Sequence, residues 1–187
     1  MIFGDKLLTP RLSLRRVHEE DLQLLVDWSN SQEAHGDYLT PERLDREMAL
    51  SQIATGRLWN DENRVFLVAL KNGLPIGTVH YWLRSEYKNC GVMALKIADP
   101  GNRNSGYGTE AQKYVIINLF ERQKVEAVEM YTDINNLAQQ RCLKKLGFEL
   151  VETLSYEDHQ VNRVGHLFRL DVAMYSKSLY YQYHYEE

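Results

Sequence analysis

Gly106 and Gly108 lie between an apolar run that ends at Ala98 and a segment with helical spacing. Asp99-Pro100 closes the run, because proline donates no ladder hydrogen bond. Past a turn rich in Gly, Asn and Ser, Thr109 and Glu110 lead into Ala111, Tyr114, Val115 and Leu119, which recur on one helical face. Strand, glycine turn and helix start are together how a backbone makes an anion site. Glycine lets the main chain come close to a ligand, and first-turn N–H groups have no intrahelical partner. The chemistry predicted is a pyrophosphate cradle. A mononucleotide loop needs Gly-x-x-x-x-Gly-Lys-Ser/Thr; Gly101 and Gly106 have that separation, but Tyr107 and Gly108 stand where the lysine and hydroxyl belong. Gly106-Tyr107-Gly108-Thr109-Glu110-Ala111 fits the dinucleotide pattern Gly-x-Gly-x-x-Gly/Ala, with Glu126 downstream. That fingerprint directly follows the first strand of a parallel unit, whereas seven residues separate Ala98 from Gly106 and no regular strand–helix alternation follows.

Arg103-Asn104-Ser105-Gly106-Tyr107-Gly108 also matches the Gln/Arg-x-x-Gly-x-Gly/Ala signature of the GNAT superfamily of acyl-coenzyme A N-acyltransferases. Flanked by Ile97-Ala98-Asp99-Pro100 and Thr109-Glu110-Ala111, it resembles the branch of ribosomal-protein N-terminal acetyltransferases and their small-amine relatives. Asn136-Leu137-Ala138 through Lys145-Leu146-Gly147-Phe148 resembles that branch's Asn-x-x-Ser-x-x-Val-Leu-x-Lys-Leu-Gly-Phe helix. Leu8-Thr9-Pro10-Arg11-Leu12-Ser13-Leu14-Arg15 resembles its opening strand, and order and spacing agree over residues 7 to 174.

The resemblance implies an α/β (α+β) fold: a mixed, mostly antiparallel sheet of six to seven strands flanked by about four helices, with a splayed central pair. It implies acetyl-coenzyme A as cofactor and transfer of its acetyl group to a primary amine, either a protein N-terminus or a small amine such as a polyamine. A non-catalytic acyl-coenzyme A sensor on the same fold is the alternative. Main-chain N–H groups of Asn104, Ser105, Gly106, Tyr107, Gly108 and Thr109 would grip the diphosphate. The backbone near Lys96, Ile97 and Ala98 would pair with pantetheine amides like an added strand, which requires the neighbouring strand to splay away. Asn136 would hydrogen-bond the cofactor arm, and Arg103 or Lys145 would meet its phosphates. Acceptor recognition would fall to the loop between the first two helices, where Glu33, His35, Asp37 and Tyr38 could hold an ammonium by charge and ring face. Two positions depart from the family pattern. Leu143 replaces a tyrosine that some relatives use as the acid, and Gln139 replaces the branch's serine; neither titrates. Asp133, at the end of the strand before Asn136, is the preferred relay for the amine's proton.

These residues need elements to position them. Residues 11 to 17 alternate apolar and polar as a half-buried strand, and His18-Glu19-Glu20-Asp21 places acidic side chains at a helix start. Residues 29 to 38 read as loop. Thr40-Pro41-Glu42-Arg43 predicts a helix capped by Thr40 and ended by Gly56. Asn72-Gly73 predicts a hairpin between Val65–Leu70 and Ile76–Leu83. Val125 to Ile134 reads as a strand, and Asn136 and Gly147 bracket the second signature helix. Phe148 to Leu154 and Leu167 to Ala173 read as a pair joined by a polar loop. Residues 1–176 form one domain in this reading. Residues 177–187 are a tail with four tyrosines, read as lying on its own domain or, alternatively, as a homodimer contact.

At 187 residues, 44% hydrophobic and 26% charged, the chain suits one globular domain. A net charge of −4 argues against broad nucleic-acid binding. No apolar run approaches the ~20 residues that span a bilayer, and the first residues lack a signal peptide's pattern, so no membrane partner and a cytoplasmic location are expected. The two cysteines and six histidines show no metal-type spacing, and no metal is expected.

Overall fold

The computed structural model describes residues 2–3, 5–84, 86 and 89–182. Alternating apolar side chains and tight turns give nine strands in one sheet: β1 (Ile2–Phe3), β2 (Lys6–Leu8), β3 (Leu12–Arg16), β4 (Asn63–Leu70), β5 (Pro75–Leu83), β6 (Cys90–Ile97), β7 (Ala127–Asp133), β8 (Glu149–Asp158) and β9 (Val161–Asp171). Their order is β1-β2-β3-β4-β5-β6-β7-β9-β8, and every pairing is antiparallel except β6 with β7. The mostly antiparallel mixed sheet matches expectation; it has more strands because the chain before β3 folds back as β1 and β2. Seven helices accompany it among the described residues: α1 (Leu22–Asn30), α2 (Gln32–His35), α3 (Arg46–Ala54), α4 (Tyr107–Asn118), α5 (Leu137–Lys145), α6 (Val172–Lys177) and α7 (Leu179–Gln182). The surplus over four consists of short helices.

The period-two strands and the apolar stripe of α4 meet in the main core. Leu14 opposite Val68, Phe66 opposite Val79, and Tyr81 opposite Met93 put bulky side chains on one face, against Val115, Ile116 and Leu119. Each such fully buried aliphatic side chain contributes about 1.5–3 kcal/mol. Arg15, pointing to the other face, forms a two-pronged ion pair with Asp21 at 2.7 and 2.8 Å, fixing α1 across the sheet.

Two expectations change. The helix expected from Thr40 begins instead at Arg46, capped by Asp45, whose side chain accepts from Met48 N at 2.7 Å. Thr40 has other partners: its N–H donates to Asp158 and its hydroxyl accepts from Arg163. Tertiary contacts thus override a good local cap. The expected polar loop between the last two strands is itself strand, β8 and β9 turning through His159 and Gln160 at φ 47° and 67°, as a two-residue hairpin requires. Part of the tail is helix packed on its own chain. Tyr181 is buried with its hydroxyl donating to Leu146 O at 2.7 Å, and its ring meets Tyr175, which precedes the tail and stacks on Phe120. Tyr183 and Tyr185 lie outside the described residues.

Candidate active site

β6 and β7 pair only at Cys90–Ala127, Gly91–Val128 and Val92–Glu129. Beyond that point Met93–Ile97 pair with β5 alone and Met130–Asp133 with β9 alone. The apex is pinned by Glu129, a buried carboxylate accepting from Arg84 and Arg169. The two strands diverge from there as a V.

Register determines which backbone groups face the gap. Ala98 N donates to Ile76 O, so Ala98, Lys96 and Ala94 direct their main-chain groups at β5. Met93, Leu95 and Ile97 direct theirs into the gap. This corrects the expectation for Lys96 and Ala98: of that trio, only Ile97 offers backbone to the opening. By the same alternation Tyr131 and Asp133 present theirs from β7.

Side chains alternate independently. Leu95 and Ile97 lie under Gly108 on the α4 face, so Lys96 projects to the opposite face, where α2 lies. On β7, Met130 meets Gln139 of α5, whereas the Tyr131 ring meets that of Tyr156. The V therefore connects two faces, one walled by α4 and α5, the other by α2, residues 36–39 and the tip of the β8–β9 hairpin. A cleft of about 890 Å³ runs through it.

At the α4 end the main-chain N–H groups of Asn104, Ser105, Gly106, Tyr107, Gly108 and Thr109 have no hydrogen-bond partner among the described residues. Gly106 caps the helix in the left-handed region at φ 81°, which turns the chain so that these groups converge. A Cβ on Gly108 would lie 2.8 Å from Leu95 Cδ2, so a side chain there would fill the floor. Unpaired amides at the start of a twelve-residue helix are suited to hold an anion, and the open β6 edge beside them can pair with an extended chain.

The remaining expected residues fall as follows. Asn136 lines the cleft, and its side chain caps α5 by accepting from Gln139 N at 3.1 Å. Lys145 is exposed in the last turn of α5 and is not among the residues lining the cleft. Arg103 turns away from the amide seat; Nε donates to Ile97 O at 2.9 Å and Nη2 to Glu33 O and Ala34 O. Asp37 and Tyr38 line the cleft, while Glu33 reaches it only through its carbonyl's bond to Arg103. Asp133 lines it too, but one oxygen accepts from Asn135 N at 2.9 Å and the other lies 3.4 Å from Arg163 Nη1. Those contacts fix the Asp133 carboxylate in place, and each of its oxygens keeps a further acceptor site. Leu143 is wholly buried, and Gln139 is tied to Gln112 and Met130.

Sequence reasoning missed Tyr156, Asp158 and Arg163, because the segment holding them read as loop. Arg163 bridges Asp133, Asp158 and Thr40. Burial, reinforced by Asp133, pushes the Tyr156 phenol up to about 12. It also missed the pairing of Lys96 Nζ with His35 Nε2 at 3.4 Å. His35 Nδ1 lies 2.8 Å from Ser31 O, so Nδ1 carries the hydrogen and Nε2 accepts from the lysine. Burial lowers both pKa values, with the lysine's charge adding to the effect on His35. A base with a depressed folded pKa binds fewer protons folded than unfolded, so it adds stability as pH rises towards its unfolded value. Wild-type stability relative to Lys96→Met should therefore increase as pH rises towards the ordinary lysine value of about 10.4, measured by urea unfolding; a flat difference would contradict the partly buried placement.

Unpaired amides at a helix start, an unpaired strand edge and a through-sheet cleft are what an acyl-coenzyme A transferase requires. Residues 11–149 match the model of the acetyltransferase (GNAT) domain. The chain belongs to the GNAT acetyltransferases: an N-acetyltransferase that uses acetyl-coenzyme A and acetylates an amine. It is 25% identical over 162 residues to aminoglycoside N(6')-acetyltransferase type 1 of Klebsiella pneumoniae, covering 79% of this chain and 78% of that one. Among solved structures, the aminoglycoside acetyltransferase AAC(6')-Ib bound to coenzyme A has TM-score 0.72 at 20% identity, covering 89% and 98% of the two chains. RimL, the ribosomal L7/L12 α-N-protein acetyltransferase, also bound to coenzyme A, has TM-score 0.75 at 11% identity, covering 90% and 98%. At these identities the two structures show the shared fold. No helix among the described residues is long and apolar enough to cross a membrane.

Proposed function

We propose that this enzyme acetylates the primary amine of a cationic acceptor, a small polyamine-like molecule or a protein N-terminus, in the cytoplasm. The observation that carries the reading is the V between β6 and β7, which opens the amide seat to one face and the acceptor loop to the other. Acetyl-coenzyme A, when bound, supplies an acyl group activated as a thioester. The amides of residues 104–109 would hold its diphosphate, the backbone of Met93, Leu95 and Ile97 N–H would align the pantetheine arm, and Asn136 would steady it from α5. Aligning donor and acceptor in this way turns a two-molecule encounter into a reaction within one complex.

On the acceptor side, exposed Asp37 and Glu157 line the cleft and attract an ammonium. The amine must lose a proton before it can attack. Of the groups lining the cleft, His35 and Lys96 are the bases that burial holds toward their proton-accepting forms. We assign proton acceptance to this pair, and to Asp133 the fixed placement of Arg163. An assay of thiol release over polyamines, aminoglycosides and N-terminal peptides tests the reading. The expected result is one acetylated amine per coenzyme A released, with Lys96→Met lowering turnover about 10²-fold or more, as loss of a general base does. Tight coenzyme A binding with no acetylated product from any amine would refute it.

A further inference from the structure

The amide seat and the acceptor loop are far apart in sequence, yet one side chain joins them. Arg103 opens the seat: its own N–H donates to Pro100 O at 3.1 Å, closing the turn before residue 104. Its guanidinium reaches across the end of β6. Nε takes Ile97 O at 2.9 Å, and Nη2 takes Glu33 O and, at 3.3 Å, Ala34 O. Those two carbonyls belong to the last turn of α2, where helical carbonyls lack partners and a cation is favoured. Gly36, at φ 69°, passes close over the same group; a Cβ there would lie 3.6 Å from Nη1.

The rest of α2 is held mostly by its own residues. Ser31 caps Ala34 N, Gly36 N bonds Gln32 O, and the Gln32 side chain bonds Gly36 O. Its other polar link to β6 is the lysine–histidine contact, long at 3.4 Å. Arg103 is therefore the main polar tie between the segment that seats the diphosphate and the segment that meets the acceptor. A ligand that orders one end of such a tie lowers the cost of ordering the other, and the coupling is reciprocal.

We propose that Arg103 is a positioning residue through which cofactor seating orders the acceptor loop, residues 33–39. The proposal rests on the amide-seat reading above. Hydrogen–deuterium exchange with mass spectrometry tests it, with coenzyme A as the probe and no acceptor needed. In the wild type, coenzyme A should slow exchange both at 104–109 and at 33–39, the latter by about five-fold or more, the low end of typical couplings. In Arg103→Ala, protection at 104–109 should persist while that at 33–39 is lost. Arg103→Lys, which keeps a donor, should restore part of it and guards against an alanine variant that fails to fold. Full protection of 33–39 in Arg103→Ala would overturn the proposal, because coenzyme A would then be ordering that loop directly. So would a wild type protected at 104–109 only. A wild type unprotected at 104–109 would overturn the amide seat first, and the coupling with it.

Discussion

Gly108→Trp should severely weaken coenzyme A binding and leave the protein folded. The position lies in the first turn of α4, over Leu95 on the α4 face of the open strand, and it lines the cleft. Even a methyl group there would sit 2.8 Å from Leu95 Cδ2. That atom is the end of a flexible side chain, so alanine needs only a small shift and should weaken binding by less than about ten-fold, or 1.4 kcal/mol. An indole cannot be absorbed in this way and must occupy the channel between α4 and β6. Coenzyme A affinity should fall by at least about 100-fold, roughly 3 kcal/mol. Folding should lose only about 1–3 kcal/mol, the usual cost of overpacking, because the side chain can extend into the cleft. Titration calorimetry with coenzyme A and a thermal melt on the same sample separate the two effects. Wild-type affinity in a folded Gly108→Trp protein would show that the cofactor lies elsewhere.

Gly77→Ala acts on the same strand from its other side, and mainly on stability. Gly77 lies on β5 opposite Ile97, and a Cβ on it would come 2.0 Å from Lys96 O and 3.0 Å from Ile97 Cα. Both obstacles are backbone, so no rotamer change relieves them and β5 must move away from β6. The bonds lost lie around Ala98 N to Ile76 O, at the end of β6 where the amide seat begins. A loss of about 3 kcal/mol or more is expected, lowering Tm by roughly 6–12 °C for a chain of this size. Coenzyme A binding should weaken in parallel, since the displaced residues include Leu95 and Ile97. Stability within about 0.5 kcal/mol of wild type would mean that β5 and β6 are not in this register.

The amino-acid sequence by itself determined the amide seat, because every part of it is local. Gly106 supplies a positive φ, Asp99-Pro100 stops β6, and Ala111, Val115 and Leu119 set the face of α4. The Asn-Gly hairpin and the Asn136 cap were legible for the same reason: each is satisfied within a few residues of itself. Only the tertiary structure decided the acceptor half. Thr40 has the residue type of a helix cap, but Asp158 and Arg163, more than a hundred positions away, bind it first. Asp133 looked like a free strand-end carboxylate until the β8–β9 hairpin brought Arg163 against it. Strand parity likewise turned Lys96 from a backbone contact for the cofactor into a partly buried side chain facing His35. Local backbone geometry is written in neighbouring residues; a charge's role depends on which distant partners folding brings within about 4 Å of it.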